Sequence, residues 1–350
     1  MAEPVRAATG WAGWWLPANY ARHGAAIDLL FDWVLWITVA AVVIVHVLLV
    51  GFAIRYRHGA APGRRRMIQA SARWEVIWTL IPAIILGGLA LASARVWDAY
   101  RYTGDDADVA NILVIGQQFK WNIIYAGKDG KFGRYLVFPK PTDRVWPHRP
   151  QDTHYQFMGV PGPSSLPYAQ ATAAIDAFVS QEEREFQLGK DFSDLAGADD
   201  DFEDALGRTL YLPVNRPVKI SVMSRDVIHD FYLPNFRVQV YAVPGMVNSV
   251  TFTPTQTTAE IEAASRRQYT LDELEAAIGT QEYHLATGGQ RVTSELLKQL
   301  KSAGDSSVMA YKRARLEVIC NQLCGVGHSL MKTDIVILPE AEYHRRFESQ

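Results

Sequence analysis

WVLWITVAAVVIVHVLLVGFAI, residues 33–54, is an unbroken apolar run without a formal charge. About twenty such residues in a helix are enough to cross the hydrocarbon core of a bilayer. A second run, VIWTLIPAIILGGLALASA at 76–94, has similar length. Its Pro82 is tolerable in a membrane helix, because neighbouring helices can satisfy the freed carbonyl. The pair predicts a transmembrane helical hairpin. Residues 55–74, between the runs, hold Arg55, Arg57, Arg64, Arg65, Arg66 and Arg73 with no acid, which the positive-inside rule assigns to the cytoplasmic face. Both termini then face outward. Trp33, Trp36, Trp74, Trp78 and Trp97 lie near the span ends, where amphipathic rings settle at the interface.

Outward from the hairpin, the composition changes. The chain has 350 residues and is 49% hydrophobic, yet its long apolar runs end before residue 97. The remainder is charged, broken by Pro and Gly, and reads as water-soluble. The expected division is an outer N-terminal segment at 1–26, the hairpin with its basic loop at 27–97, and an extracytoplasmic domain at 98–350. Residues 1–26 lack an apolar signal core, and WAGWWLPANYARHG reads as an amphipathic lead-in. A formal net charge of -2 argues against a nucleic-acid partner, which generally demands a basic excess. Membrane lipid is the partner that the hairpin requires. His46 within the first span and Glu75 at the cytoplasmic start of the second are the ionisable residues that stand out there.

In the outer domain, NILVIGQQFKW from Asn111, RPVKISVMS from Arg216, VNSVTFTP from Val247, ARLEVIC from Ala314 and TDIVILP from Thr333 alternate as half-buried strands do. Short strands of this kind predict an all-β sandwich or Greek-key barrel. Two stretches read as insertions, at about 139–207 and 256–313. The first is Pro-rich and then acidic, with DDDFED from Asp199; the second carries the helical patterns TLDELEAAI and SELLKQLK.

The chemistry is concentrated in CNQLCGVGHSLM, residues 320–331. Two thiols, Cys320 and Cys324, share one short loop with the imidazole of His328 and the thioether of Met331. Soft sulfur with imidazole suits copper, whereas structural zinc sites rarely use methionine. The second cysteine permits two readings, a disulfide on the oxidising side of the membrane or two copper ions bridged by both thiolates. A bridged pair needs another imidazole. His148, His154, His229, His284 and His344 are available; His229 stands out because it follows the strand KISVMS in what reads as a compact turn, DVIHDFYLP. There is no Cys-x-x-Cys-His, which excludes c-type haem attachment.

These segments resemble subunit II of haem-copper oxidases of the cytochrome c oxidase type. The spacing of Cys320, Cys324, His328 and Met331 is similar to the binuclear CuA loop. DVIHDFYLP with AVPGMVNSVTF from Ala242 resembles the segment bearing the first ligand histidine, and Glu75, Trp78, Thr79 and Pro82 resemble the start of the second span. The resemblance covers roughly residues 27–135, 208–255 and 312–340, leaving the insertions outside. It implies a cupredoxin fold and two coppers held by His229, Cys320, Cys324, His328, Met331 and the carbonyl of Gln322.

By the same resemblance, electrons pass from cytochrome c, or a related membrane-held haem donor, to haem in subunit I, where O2 reduction is coupled to proton translocation. The protein would sit in a bacterial inner membrane with its copper domain in the periplasm, beside subunit I and other oxidase subunits. Glu75 matches a carboxylate near a proton-uptake path, and Asp226 an acid near the copper site that helps donor docking or supports the turn. Gln322 replaces the usual Glu, which removes a carboxylate from the magnesium position at the subunit I boundary. Phe119 replaces a tryptophan associated with electron input, while Trp121 is kept; Tyr241 and Met246 replace the usual acidic and basic residues. The rivals are a copper-free quinol oxidase subunit, the CuA domain of nitrous-oxide reductase and a membrane-tethered copper-delivery protein.

Overall fold

A computed structural model of the chain describes residues 16–57, 72–100, 109–126, 130, 132, 202–204 and 209–348. The chain divides into two compact units, Met1–Tyr102 and Thr103–Gln350. The first unit consists of helices α1 (Gly24–Arg55) and α2 (Ala72–Tyr100). Helix α1 starts well before the apolar run, because Ala25, Ala26, Leu29 and Leu30 are strong helix formers. It opens where the Asn19 side chain brackets Ala21, accepting from its N–H and donating to its carbonyl, both at 3.0 Å. The apolar side chains of both helices point outward, Leu49 and Ile84 being 65% and 71% exposed. Patches of that extent belong in lipid or against other membrane helices. His46 is among these outward residues; its Nδ1 donates to the Val42 carbonyl at 2.7 Å. Glu75 is exposed in the first turn of α2. Arg64, Arg65 and Arg66 of the basic loop lie outside the described residues.

In the second unit the elements follow in the order β1 (Ala110–Gln117), β2 (Lys120–Tyr125), β3 (Phe202–Asp204), β4 (Thr209–Pro213), β5 (Val218–Ser224), β6 (His229–Leu233), β7 (Val238–Ala242), β8 (Asn248–Phe252), α3 (Thr258–Ala264), β9 (Arg267–Thr270), α4 (Leu271–Ala277), β10 (Tyr283–Leu285), α5 (Ser294–Ser302), β11 (Ser307–Lys312), β12 (Glu317–Cys320), β13 (Lys332–Leu338) and α6 (Glu340–Phe347). Two five-stranded sheets form the body, in the orders β3-β2-β1-β5-β8 and β4-β13-β12-β6-β7. Each contains one parallel pair, β1 with β5 and β13 with β4. The alternation expected for Val218–Ser224 is realised, with Val218, Ile220 and Val222 inside. Phe231, Leu233, Val318 and Ile337 of the second sheet are likewise fully or nearly fully buried. This is a β-rich cupredoxin-like domain following two apolar helices.

NILVIGQQFKW is not one strand but two. The chain turns back at Gln118–Phe119, and β1 pairs antiparallel with β2 from Ile112↔Tyr125 to Gln117↔Lys120. His229 likewise opens a strand rather than sitting in a turn; it pairs with Ala242 across the β6–β7 hairpin. Burial of alternate residues Phe231 and Leu233 favours the extended form there.

Residues 256–313 fold as a compact module. The helical patterns become α4 and α5, and β9, β10 and β11 add a three-stranded sheet. Tyr269, Leu271, Leu274, Val292, Leu297 and Ala310 give the module a core of its own. Helices α3 and α4 each start on a capping box, from Thr257 with Glu260 and from Thr270 with Glu273. Ala314 N–H donates to the Glu262 carboxylate at 3.1 Å and Ile337 N–H to Thr258 Oγ1 at 2.8 Å, which fastens the module to β12 and β13. Of the stretch 139–207, only β3 lies within the described residues.

Candidate metal centre

The loop between β12 and β13 is pinned at both ends. Cys320 N–H donates to the Met331 carbonyl at 3.2 Å, and Asn321 N–H donates to the Asp230 carbonyl at 3.1 Å. Strand pairing of Cys320 with Phe231 sets His229 beside the loop. A short helical turn at His328–Leu330 then folds His328 back towards Cys324. The donors converge. Cys320 Sγ lies 3.9 Å from His229 Nδ1, 3.9 Å from Cys324 Sγ and 3.2 Å from the Gln322 carbonyl oxygen. Cys324 Sγ lies 3.6 Å from His328 Nδ1 and 3.9 Å from Met331 Sδ.

Both thiols are buried and free. Their separation is far beyond the bond length of about 2.05 Å that a disulfide requires. Burial first, and then the neighbouring Cys320, push the Cys324 thiol up to about 12. A metal entering here must therefore displace protons from the thiols. Two thiols, two Nδ1 atoms, a thioether and a carbonyl form a sulfur-rich set suited to a soft ion. A structural tetrahedral zinc site would leave buried Met331 unused. The residues present therefore fit copper.

His229 is aimed by its surroundings. Its Nε2–H donates to Asp226 Oδ1 at 2.7 Å, so the lone pair of Nδ1 faces the thiols. Gly116 lies beneath the ring: a Cβ there would stand 2.9 Å from His229 Cδ2 and 3.0 Å from Trp121 Cζ3. Trp121 is fully buried, edge-on to His229 and Phe231 with ring centroids at 5.8 and 5.2 Å. Phe119, by contrast, is half-buried, and its ring lies against Gly325 and Gly327. Gly325, at φ 138°, has a backbone conformation that side chains disfavour. A Cβ on Gly327 would lie 2.4 Å from the Phe119 ring.

The structure thus brings His229, Cys320, Gln322, Cys324, His328 and Met331 together, with Asp226, Phe119 and Trp121 around them. His284 is elsewhere, bonded to the Gly289 carbonyl and Glu282; His344 lies in α6. His148 and His154 fall outside the described residues. Tyr241 and Met246 are exposed. Sequence reasoning missed Gln118, whose N–H donates to Asp226 Oδ2 at 2.7 Å and whose side-chain amide donates to the Cys324 carbonyl. It also missed Gly116. The pair of glycines flanking Val326 was the available signal that a ring had to fit there.

Two membrane-crossing helices, a cupredoxin-like domain and a sulfur-rich donor cluster define a membrane-anchored protein with side chains that could hold a metal ion. Residues 11–96 match the model of the cytochrome c oxidase subunit II transmembrane domain, and residues 194–262 that of its periplasmic domain. The chain is 22% identical over 337 residues to the alternative cytochrome c oxidase subunit 2 of Bradyrhizobium diazoefficiens, covering 96% of this chain and 84% of that one. It is 24% identical over 238 residues to cytochrome c oxidase subunit 2 of Thermostichus vulcanus, covering 66% of this chain and 64% of that one. Among solved structures, the periplasmic domain of cytochrome oxidase subunit II of Bradyrhizobium japonicum matches with 16% identity and a TM-score of 0.29, covering 70% of this chain and 92% of that one. The chain is a membrane protein with two spans, and the two matched segments support a protein of the cytochrome c oxidase subunit II type.

Proposed function

We propose that this chain is the electron-input subunit of a cytochrome c oxidase, with two copper ions held by His229, Cys320, Cys324, His328, Met331 and the Gln322 carbonyl. The observation that carries the reading is the convergence of these donors from the start of β6 and from the β12–β13 loop, each side-chain donor within 3.6–3.9 Å of another. A bridged copper pair supplies one-electron transfer between a haem donor, cytochrome c or a membrane-held relative, and haem in subunit I, where O2 reduction drives proton translocation. The chain's residues hold that pair in a rigid pocket. The end of β12 fixes Cys320, the Gln118 amide holds the Cys324 carbonyl, and the buried side chains of Trp121 and Met331 exclude water.

The domain faces the periplasm in this reading, with Arg55, Arg57 and Arg73 on the cytoplasmic side. Because Trp121 has no exposed surface, direct contact with the donor falls to Phe119. In this reading Glu75, exposed in the first turn of α2, passes protons into a partner subunit. Gln322 offers an amide where the family's magnesium would meet a carboxylate, so this chain contributes no charge to that ion. Copper titration of the full-length chain in detergent tests the reading. Two equivalents bound per chain are expected; a single equivalent, as for a copper-delivery protein, contradicts it.

A further inference from the structure

Three segments meet at the metal centre, and only two of them, the start of β6 and the β12–β13 loop, contribute donors. The third, the β1–β2 turn at Gln118–Phe119, holds the other two together. Asp226 is the hub. Its Oδ1 accepts from His229 Nε2 at 2.7 Å and from Val227 N–H at 2.7 Å, with Ser224 Oγ at 3.5 Å; its Oδ2 accepts from Gln118 N–H at 2.7 Å. Gln118 continues the chain by donating its side-chain amide to the Cys324 carbonyl. An unbroken series of hydrogen bonds therefore runs from the imidazole at the start of β6, through Asp226 and Gln118, to the backbone of the cysteine loop.

We propose that Asp226 and Gln118 are positioning residues: Asp226 fixes His229 as the Nε2–H tautomer with Nδ1 towards the thiols, and Gln118 ties that arrangement to the Cys324 loop. The inference rests on the copper reading for its consequence, but not for its geometry. The physical argument is one of acceptor capacity. A carboxylate accepts and does not donate, so the ring nitrogen facing it carries the proton. The other nitrogen is left as a lone pair at the place where a metal ligand is needed. Asp226 is 12% exposed on its side chain and His229 is fully buried, so water competes poorly for this bond. An acid on the periplasmic surface of such a domain also lends itself to donor docking; here both oxygens are instead engaged inward.

The test uses the full-length chain in detergent as wild type, Asp226→Ala, Asp226→Asn and Gln118→Ala. In the metal-free protein labelled with 15N-histidine, His229 is expected as the Nε2–H tautomer in wild type and Gln118→Ala, and as a tautomer mixture in Asp226→Ala. In Asp226→Asn its Nε2–H proton resonance moves upfield, since a neutral amide is the weaker acceptor. After copper loading, release to a Cu(I) chelator accelerates by about 10–100-fold in Asp226→Ala. It accelerates less in Gln118→Ala, which loses the tie to Cys324 but keeps the tautomer. An unchanged tautomer in Asp226→Ala, or an unchanged Nε2–H resonance in Asp226→Asn should the alanine variant not fold, overturns the positioning role. Failure of the wild type to take up copper overturns the copper reading instead and leaves the tautomer measurement to decide this one.

Discussion

Cys320 Sγ and His229 Nδ1 stand 3.9 Å apart although ninety-one residues separate them in the chain. The contact is made by strand pairing. Residue Cys320 is opposite Phe231, two places beyond His229, so the register of β6 against β12 decides whether the imidazole meets the thiols at all. A slip by one residue would turn His229 to the other face of the sheet.

Gly116, in β1 of the other sheet, lies against the imidazole that this register places. The β-carbon of Gly116→Ala would press on both His229 and Trp121. Overpacking of this kind costs about 1–3 kcal/mol. Thermal melts of the full-length variant are expected to show that loss, with weaker copper retention. A variant as stable as wild type that holds copper equally well would show that the ring does not rest on Gly116.

The inserted module should melt on its own terms. Leu274 is completely buried in the core that α4 shares with Leu297 and Tyr269, and truncation to alanine costs about 2–5 kcal/mol. In Leu274→Ala, hydrogen exchange is expected to rise across Arg267–Lys312 while β5, β6 and β12 keep their protection. Equal loss of protection in the sandwich would mean that the two cores fold as one.

Acid should loosen the same module. His284 foremost, and then Arg313, hold the Glu282 carboxyl below the usual carboxylate range. A depressed carboxylate contributes stability while ionised, above its unfolded pKa, and that contribution disappears as pH falls through the lower folded value. The partners are partly exposed, so the effect is small and shrinks with salt. Denaturant midpoints for Glu282→Gln are expected to lose part of the wild-type fall between neutral and acidic pH. Identical pH profiles would remove Glu282 from the explanation.

Much of this architecture is legible in the sequence where a local pattern carries the physics. The apolar runs at 33–54 and 76–94 declare themselves by length and absence of charge, and the donors from Cys320 to Met331 lie in one loop whose spacing is its own signature. His229 stood out by its place after the strand KISVMS, and the resemblance of its surrounding segment singled it out as a ligand. Asp226 meets Gln118 across 108 residues, and no periodicity in either segment reports that contact. Strands β9, β10 and β11 escaped because runs of three to six residues are too short to show alternation, whereas the helices between them carry threonine caps and apolar spacing. The hairpin turn at Gln118–Phe119 was hidden for a different reason: Phe119 and Trp121 continue the apolar spacing of β1, and only the antiparallel pairing of β1 with β2 shows that the chain has reversed.

The most direct test of the central claim is the electron paramagnetic resonance spectrum of the full-length chain loaded with copper and partly reduced. One unpaired electron shared equally by two copper nuclei is the expected signature, and it should vanish in Cys324→Ser, which removes one bridging sulfur. The hyperfine pattern of a single isolated Cu(II), or a shared-electron spectrum that survives Cys324→Ser, would contradict a pair bridged by Cys320 and Cys324.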